Sequence, residues 1–207
     1  MFVVSLRRSL VPIAIATAVS LGAVGPGSVT AQAADKTGNF SVRGLGSQTC
    51  EAYVAALARP DDFLRYGNWL LGYATAHNRL ATDTYDTMPT EGGTDFPNVV
   101  AVVCRTNPRM LLENAAASAI DVIRPLRQTA ASPLVQVTAD YKTVSIHQES
   151  LKRLQTALIA KQAFKGMATG APSAAFTDAL KAFQRKEGIP VTGLPDIDTF
   201  IRAIVKR

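Results

Sequence analysis

The sequence predicts a mainly α protein: a disulfide-linked four-helix bundle followed by a small three-helix domain. Three observations predict it. Apolar residues recur at spacings of three and four from Cys50 to Ile123, and again from Leu151 to Ile204. Only two cysteines occur, Cys50 and Cys104, and they bracket most of the first helical run. Gly170 and Gly188 divide the second run into three short pieces.

At the front, Arg7 and Arg8 precede an apolar run from Ser9 to Gly25, interrupted by Pro12 and Gly22. Ala31-Gln32-Ala33 supplies a small-x-small cleavage pattern. Residues 1–33 therefore read as a secretory signal peptide, with the mature chain starting near Ala34. A retained anchor is the alternative, but the run is short for a membrane span. No cysteine follows the cleavage point, which argues against a lipoprotein. The expected product has no stable membrane insertion and resides in the periplasm of a Gram-negative envelope.

In an exported chain, two cysteines most simply form one disulfide. Pairing Cys50 with Cys104 closes a loop of about 55 residues, a stabilisation of roughly 4 kcal/mol on chain entropy. A metal pair or a free nucleophile is the alternative, and neither CxxC spacing nor a neighbouring histidine supports it.

The first domain is expected over 40–128. A helix is expected around Cys50 to Leu57. Phe63, Tyr66, Leu70, Tyr73, His77 and Leu80 then alternate spacings of three and four, an a/d seam. Asp61 or Asp62 is placed to cap that helix. A polar loop follows from Thr82 to Thr94, and Asp95 is expected to cap a helix carrying Phe96, Val99, Val100 and Val103. Asn107-Pro108 reads as a cap followed by a first helical residue. The next helix carries Leu111, Leu112, Ala115, Ala119, Val122 and Ile123, and stops before Pro125.

This layout is similar to small periplasmic HdeA-like proteins over roughly 45–127. The matching features are a cysteine in the first helix, Gly72-Tyr73 with Asn78, and Cys104 with Asn107-Pro108. The resemblance implies either an acid-stress chaperone with a periplasmic client, or an immunity-type protein that binds a wall-degrading toxin.

Residues 129–145 read as the connection between domains. Leu134, Val135 and Val137 alternate after Pro133, which leaves open a free linker or a brief extended stretch.

The second domain is expected over 146–207. Ser145 with Gln148 fits a capping box that starts a helix near Ile146. Leu151, Leu154 and Leu158 share one face of it. Ser173 is placed to cap a second helix with a stripe of Phe176, Ala179, Leu180 and Phe183. Gly188 suits the left-handed residue that ends it, and Pro190 prevents continuation. Pro195 suits a first helical position before Ile197, Phe200, Ile201 and Ile204.

The ordered set Leu154-Gln155, Gly170, Ala179, Phe183-Gln184, Gly193, Asp196 and Thr199 resembles the peptidoglycan-binding-like domain. The family turn usually reads Asp-Gly, whereas this chain has Thr169-Gly170. The resemblance implies peptidoglycan as partner. It nominates Gly170, Gln184, Arg185, Asp196 and Thr199 as ligand-contacting residues. The competing reading of such apolar stripes and turn glycines is that they build the fold. Charge adds to the resemblance. Residues 146–207 hold ten basic and five acidic side chains, while 40–128 hold eight and nine. A basic surface favours encounter with the carboxylates of stem peptides. Export argues against nucleic acid as a partner.

No catalytic pattern is present. There is no HExxH, GxSxG or glycine-rich phosphate loop, and no cofactor is expected. Of the two histidines, His77 occupies a seam position and reads as a packed core residue. His147 falls in a first helical turn and reads as solvated. Asp83, Asp86, Glu91 and Asp95 match no Ca²⁺ loop spacing and read as a solvated loop, so no metal is expected. The resulting expectation is a non-enzymatic wall-binding protein whose C-terminal domain localises a helical module.

Overall fold

The computed structural model describes residues 35–206; the signal peptide read at 1–33 lies outside them. Residues 41–206 form one unit, and residues 35–40, with Asp35 accepting from Thr37 and Asn39, fall in a separate one. The molecule is mainly helical with one two-stranded sheet.

After a 3-10 turn at Gly44–Ser47, α1 (Cys50–Ala56) is capped by Thr49, whose side chain accepts from the Ala52 amide. Helix α2 (Pro60–Leu80) starts two residues earlier than a cap at Asp61 would place it. Pro60 takes the first helical position, and Asp61 and Asp62 sit in the first turn, where their charge complements the helix dipole. Its buried residues are Tyr66, Gly67, Leu70 and Ala74. Of the expected seam, Tyr66 and Leu70 are buried and Phe63 and Tyr73 half-buried, with Gly67 and Ala74 added to the buried face. Leu80 is 70% exposed and His77 only half-buried.

Helix α3 (Asp95–Thr106) begins after Thr94, so Asp95 is its first residue and not its cap. Cys104 is bonded to Cys50, as expected. The Asn107-Pro108 signal is overturned. Asn107 closes the C-terminus of α3, its Nδ2 donating to the Val103 carbonyl at 2.9 Å. The chain after it turns at Pro108 and Arg109, the Met110 amide donating back to the Asn107 carbonyl, and Leu111 then bridges to Thr49 before α1. The amides of Cys50 and Glu51 donate to Met110 and Pro108, and Leu112 donates to Gln48. The disulfide holds those two segments side by side, so α4 (Leu112–Ile123) starts later than the proline suggests. A 3-10 turn with Pro125 follows.

The stretch read as a connection contains a hairpin of β1 (Leu134–Ala139) and β2 (Lys142–His147). Asp140 and Tyr141 both have positive φ, the geometry of a tight two-residue hairpin turn. Val137, Ala139 and Ile146 are buried. Ser145 therefore pairs with Gln136 in the ladder, and the capping box does not form. Helix α5 (Gln148–Ala160) begins after His147, which is 4% exposed and not solvated.

Helix α6 (Ala174–Glu187) is capped by Ser173 as expected and ends on Gly188 at φ 65°. Helix α7 (Ile197–Phe200) starts after Asp196, which accepts from the Thr199 amide and takes the cap position; Pro195 lies before it. The chain continues as a π-helical turn over Ile201–Val205. Leu151, Leu154, Leu158, Phe176, Leu180, Phe183, Ile197 and Phe200 fill the core of this second domain.

Polar contacts fasten the two helical regions together. Arg153 of α5 donates to the carbonyls of Pro125, Leu126 and Arg127, the unpaired end of α4 and its 3-10 turn. Burial pulls the Arg153 guanidinium below its ordinary range. Gln128 donates to Ser150, and within the first region Arg127 pairs with Asp83 at 2.7 Å. The Arg127 bond holds the Asp83 carboxyl below its usual range. Among the described residues, no helix is long and apolar enough to cross a membrane.

Candidate functional site

Two buried glutamines shape the second domain. Gln155, on α5, is 1% exposed. Its Oε1 accepts from the Gly170 amide at 2.8 Å, and its Nε2 donates to the Ala171 carbonyl at 2.8 Å. Gln184, on α6, is fully buried. Its Oε1 accepts from the amides of Thr192 and Gly193, at 3.0 and 2.8 Å. Its Nε2 faces the Leu194 carbonyl at 3.0 Å and the hydroxyls of Thr192 and Thr199 at 3.0 and 2.9 Å. Both hydroxyls donate onward to the Asp196 carboxylate, each at 2.6 Å. Each side-chain amide thus plays the part of a missing strand, satisfying loop backbone that would otherwise be buried unpaired.

This assigns positions to the five nominated residues. Gln184, Asp196 and Thr199 are brought together, but facing inward, as the fastening of the loop before α7. Gly170 is buried at φ 75°, and an added Cβ would meet the Gln148 carbonyl oxygen at 2.6 Å. Glycine is required there for two independent reasons, positive φ and close backbone approach. The neighbouring Thr169 is exposed, so the departure from Asp-Gly leaves the turn intact. Arg185 stands apart from the network on the solvent side of α6.

The accessible feature is a groove beside the first pinned turn, about 630 Å³ in volume. Its walls are the α5–α6 loop and the start of α6. Gln162, at φ 57°, is the left-handed residue that ends α5. The Gln162 amide donates to Ile159, and the Ala163 amide to Leu158, the paired bonds of a Schellman turn. Phe164 then turns inward against Phe176, ring centroids 5.2 Å apart and nearly edge to face. The loop crosses the Phe164 ring at Gly166, where an added Cβ would lie 2.3 Å from it. Beyond it, Met167 is 79% exposed. Phe164 and Ala179 give the groove an apolar floor, and Gln162, Lys165, Thr169 and Ser173 give it a polar rim with one cation. Such a mixture suits a ligand with apolar ring faces, hydroxyls and carboxylates. Sequence reading passed over Gln162, Phe164, Lys165 and Met167. The usable signal was an aromatic and a methionine outside any helical stripe.

Residues 147–202 match a family model described as "Putative peptidoglycan binding domain". That span contains both glutamine-pinned turns and the groove, and the match supports peptidoglycan as this domain's partner. No curated protein and no solved structure matched the chain.

Proposed function

We propose that this is a non-enzymatic, periplasmic protein of a Gram-negative envelope. It binds peptidoglycan through its C-terminal domain and so places the region 41–128 at the cell wall. The observation that carries the reading is the coincidence of the family match with the groove beside Phe164, Lys165 and Met167. The preformed loop reduces the ordering cost of binding. The basic excess of residues 146–207 favours approach to anionic stem peptides. Pull-down with purified sacculi tests this. The full chain is expected in the pellet at low salt, with less at high salt as charge is screened. Lys165→Glu is expected to release it without lowering its melting temperature. Protein that stays in the supernatant at low and at physiological salt refutes the reading.

A second reading, that region 41–128 holds another protein, is favoured by one observation. A groove of about 630 Å³ with an apolar lining runs between α3, α4 and α7, and Val102 and Val122 beside it are 60% and 49% exposed. Exposed apolar surface of this kind marks protein contacts. It fits the periplasmic stress chaperone or the immunity-type toxin partner that the HdeA-like resemblance implies. A light-scattering assay of client aggregation between about pH 2 and pH 7 separates the two. A chaperone suppresses scattering as the pH falls, whereas an immunity-type protein leaves it unchanged at every pH.

A further inference from the structure

The structure brings three groups together that are far apart in the chain. Asp86 and Glu91 come from the loop after α2, and His147 comes from the residue before α5. The free oxygens of the two carboxylates and His147 Nε2 lie within 4.8 Å of one another.

The imidazole is the decisive member. Its side chain is 5% exposed. Nδ1 lies 3.2 Å from the Ser132 carbonyl oxygen, which can only accept, so Nδ1 carries the proton. Nε2 of that tautomer presents a lone pair. It is buried and, among the described residues, has no hydrogen-bond partner. Glu91 Oε1 is 3.2 Å from it and Asp86 Oδ2 is 3.7 Å; in the neutral tautomer the lone pair faces two carboxylates with nothing to bind, and a proton or a cation between them pairs all three groups. An unpaired buried nitrogen is costly and asks for an explanation. A backbone carbonyl on the far ring nitrogen is the arrangement that orients metal-binding histidines.

The carboxylates are also held for the purpose. Asp86 Oδ1 accepts from Asn78 Nδ2 and the Met88 amide, at 3.1 and 3.0 Å, which leaves Oδ2 turned toward the histidine. The Asp86 backbone pairs with Gln128, and the Glu91 amide donates to Ser145 in β2. Glu91 keeps its side chain 46% exposed, so it has room to swing inward. Ligand atoms about 2.0–2.2 Å from a tetrahedral ion stand roughly 3.3–3.6 Å apart. The two distances to Nε2, 3.2 and 3.7 Å, bracket that range. One imidazole, two carboxylates and no thiolate suit a first-row divalent cation, with a fourth position open on the Glu91 side.

We propose that Asp86, Glu91 and His147 form a binding site for a divalent cation of the Zn²⁺ class, which clamps the loop after α2 to the start of α5. The assignment is independent of wall binding.

Zn²⁺ itself is the probe, added to purified protein after EDTA treatment and dialysis. Calorimetry is expected to show one saturable ion per chain. At an excess of 100 times Kd, the melting temperature is expected to rise by roughly 5–10 °C. Glu91→Gln changes a half-exposed group, so the chain should fold with an unaltered metal-free melting temperature. It is expected to weaken Zn²⁺ binding by about 100-fold or more, beyond what loss of an orienting partner costs. His147→Gln is expected to do the same, and His77→Gln is expected to do nothing. Absence of a saturable heat, or unchanged affinity in Glu91→Gln, overturns the site. Binding that prefers Ca²⁺ and ignores His147→Gln overturns the role of the imidazole.

Discussion

Replacing Gln184 with alanine is expected to cost about 4 kcal/mol or more, enough to unfold the C-terminal domain of a marginally stable chain. The side chain is fully buried and answers two loop amides, one carbonyl and two hydroxyls. Its removal leaves those groups unpaired around a cavity, and each unpaired buried group costs about 1–3 kcal/mol. Gln184→Glu keeps the shape but replaces the donor to Leu194 with an oxygen and brings a charge beside Asp196, so it is expected to be comparably damaging. Arg185→Ala, one residue along and exposed, is expected to stay within about 0.5 kcal/mol of wild type. Urea unfolding followed by circular dichroism measures all three. A loss below about 1 kcal/mol for Gln184→Ala would show that water replaces the side chain and that the network is not what holds the loop.

Removing the Cys50–Cys104 bond is expected to lower stability by about 4 kcal/mol and the melting temperature by roughly 8–15 °C. The bond joins positions 54 residues apart, so its loss frees a large loop in the unfolded chain. It also releases the paired segments around Cys50 and Met110, where backbone bonds are few. The double variant Cys50→Ala/Cys104→Ala, compared with wild type in calorimetry, gives the number. A fall of less than about 3 °C would mean that packing of Tyr53, Phe96 and Leu112 holds α1 without help from the crosslink.

Local signals in the sequence identified most of the helices and the disulfide, and they failed where distant contacts decide. Ser173 and Gly188 were legible because a cap and a left-handed glycine act within a few residues. Gln162 ends α5 in the same manner as Gly188 ends α6, but a glutamine at positive φ carries no such signature. Asn107-Pro108 looked like a helix start, and the disulfide-held pairing with α1 overrode it. Ser145 looked like a cap, and the partner strand 134–139 claimed it for a ladder. Of the five residues nominated from the C-terminal pattern, Gln184, Asp196 and Thr199 meet in one network, whereas Gly170 belongs to the Gln155 turn and Arg185 stands apart. The inward orientation of those three was not readable, because a buried glutamine and an exposed one look alike in a sequence. His147 shows the same limit. Its environment comes from Asp86 and Glu91, more than fifty residues earlier.

Gln155 holds the α5–α6 loop at Gly170 and Ala171 through main-chain atoms only. Thr169 shares the fastening, its hydroxyl accepting from the Ala171 amide at 3.1 Å, while the outward side chains of Lys165 and Met167 contribute nothing to it. Drift at these surface positions therefore leaves the loop's course unchanged while altering what the groove presents. A lineage carrying this frame is free to exchange one wall chemistry for another by substitution at the rim, with no compensating change in the core.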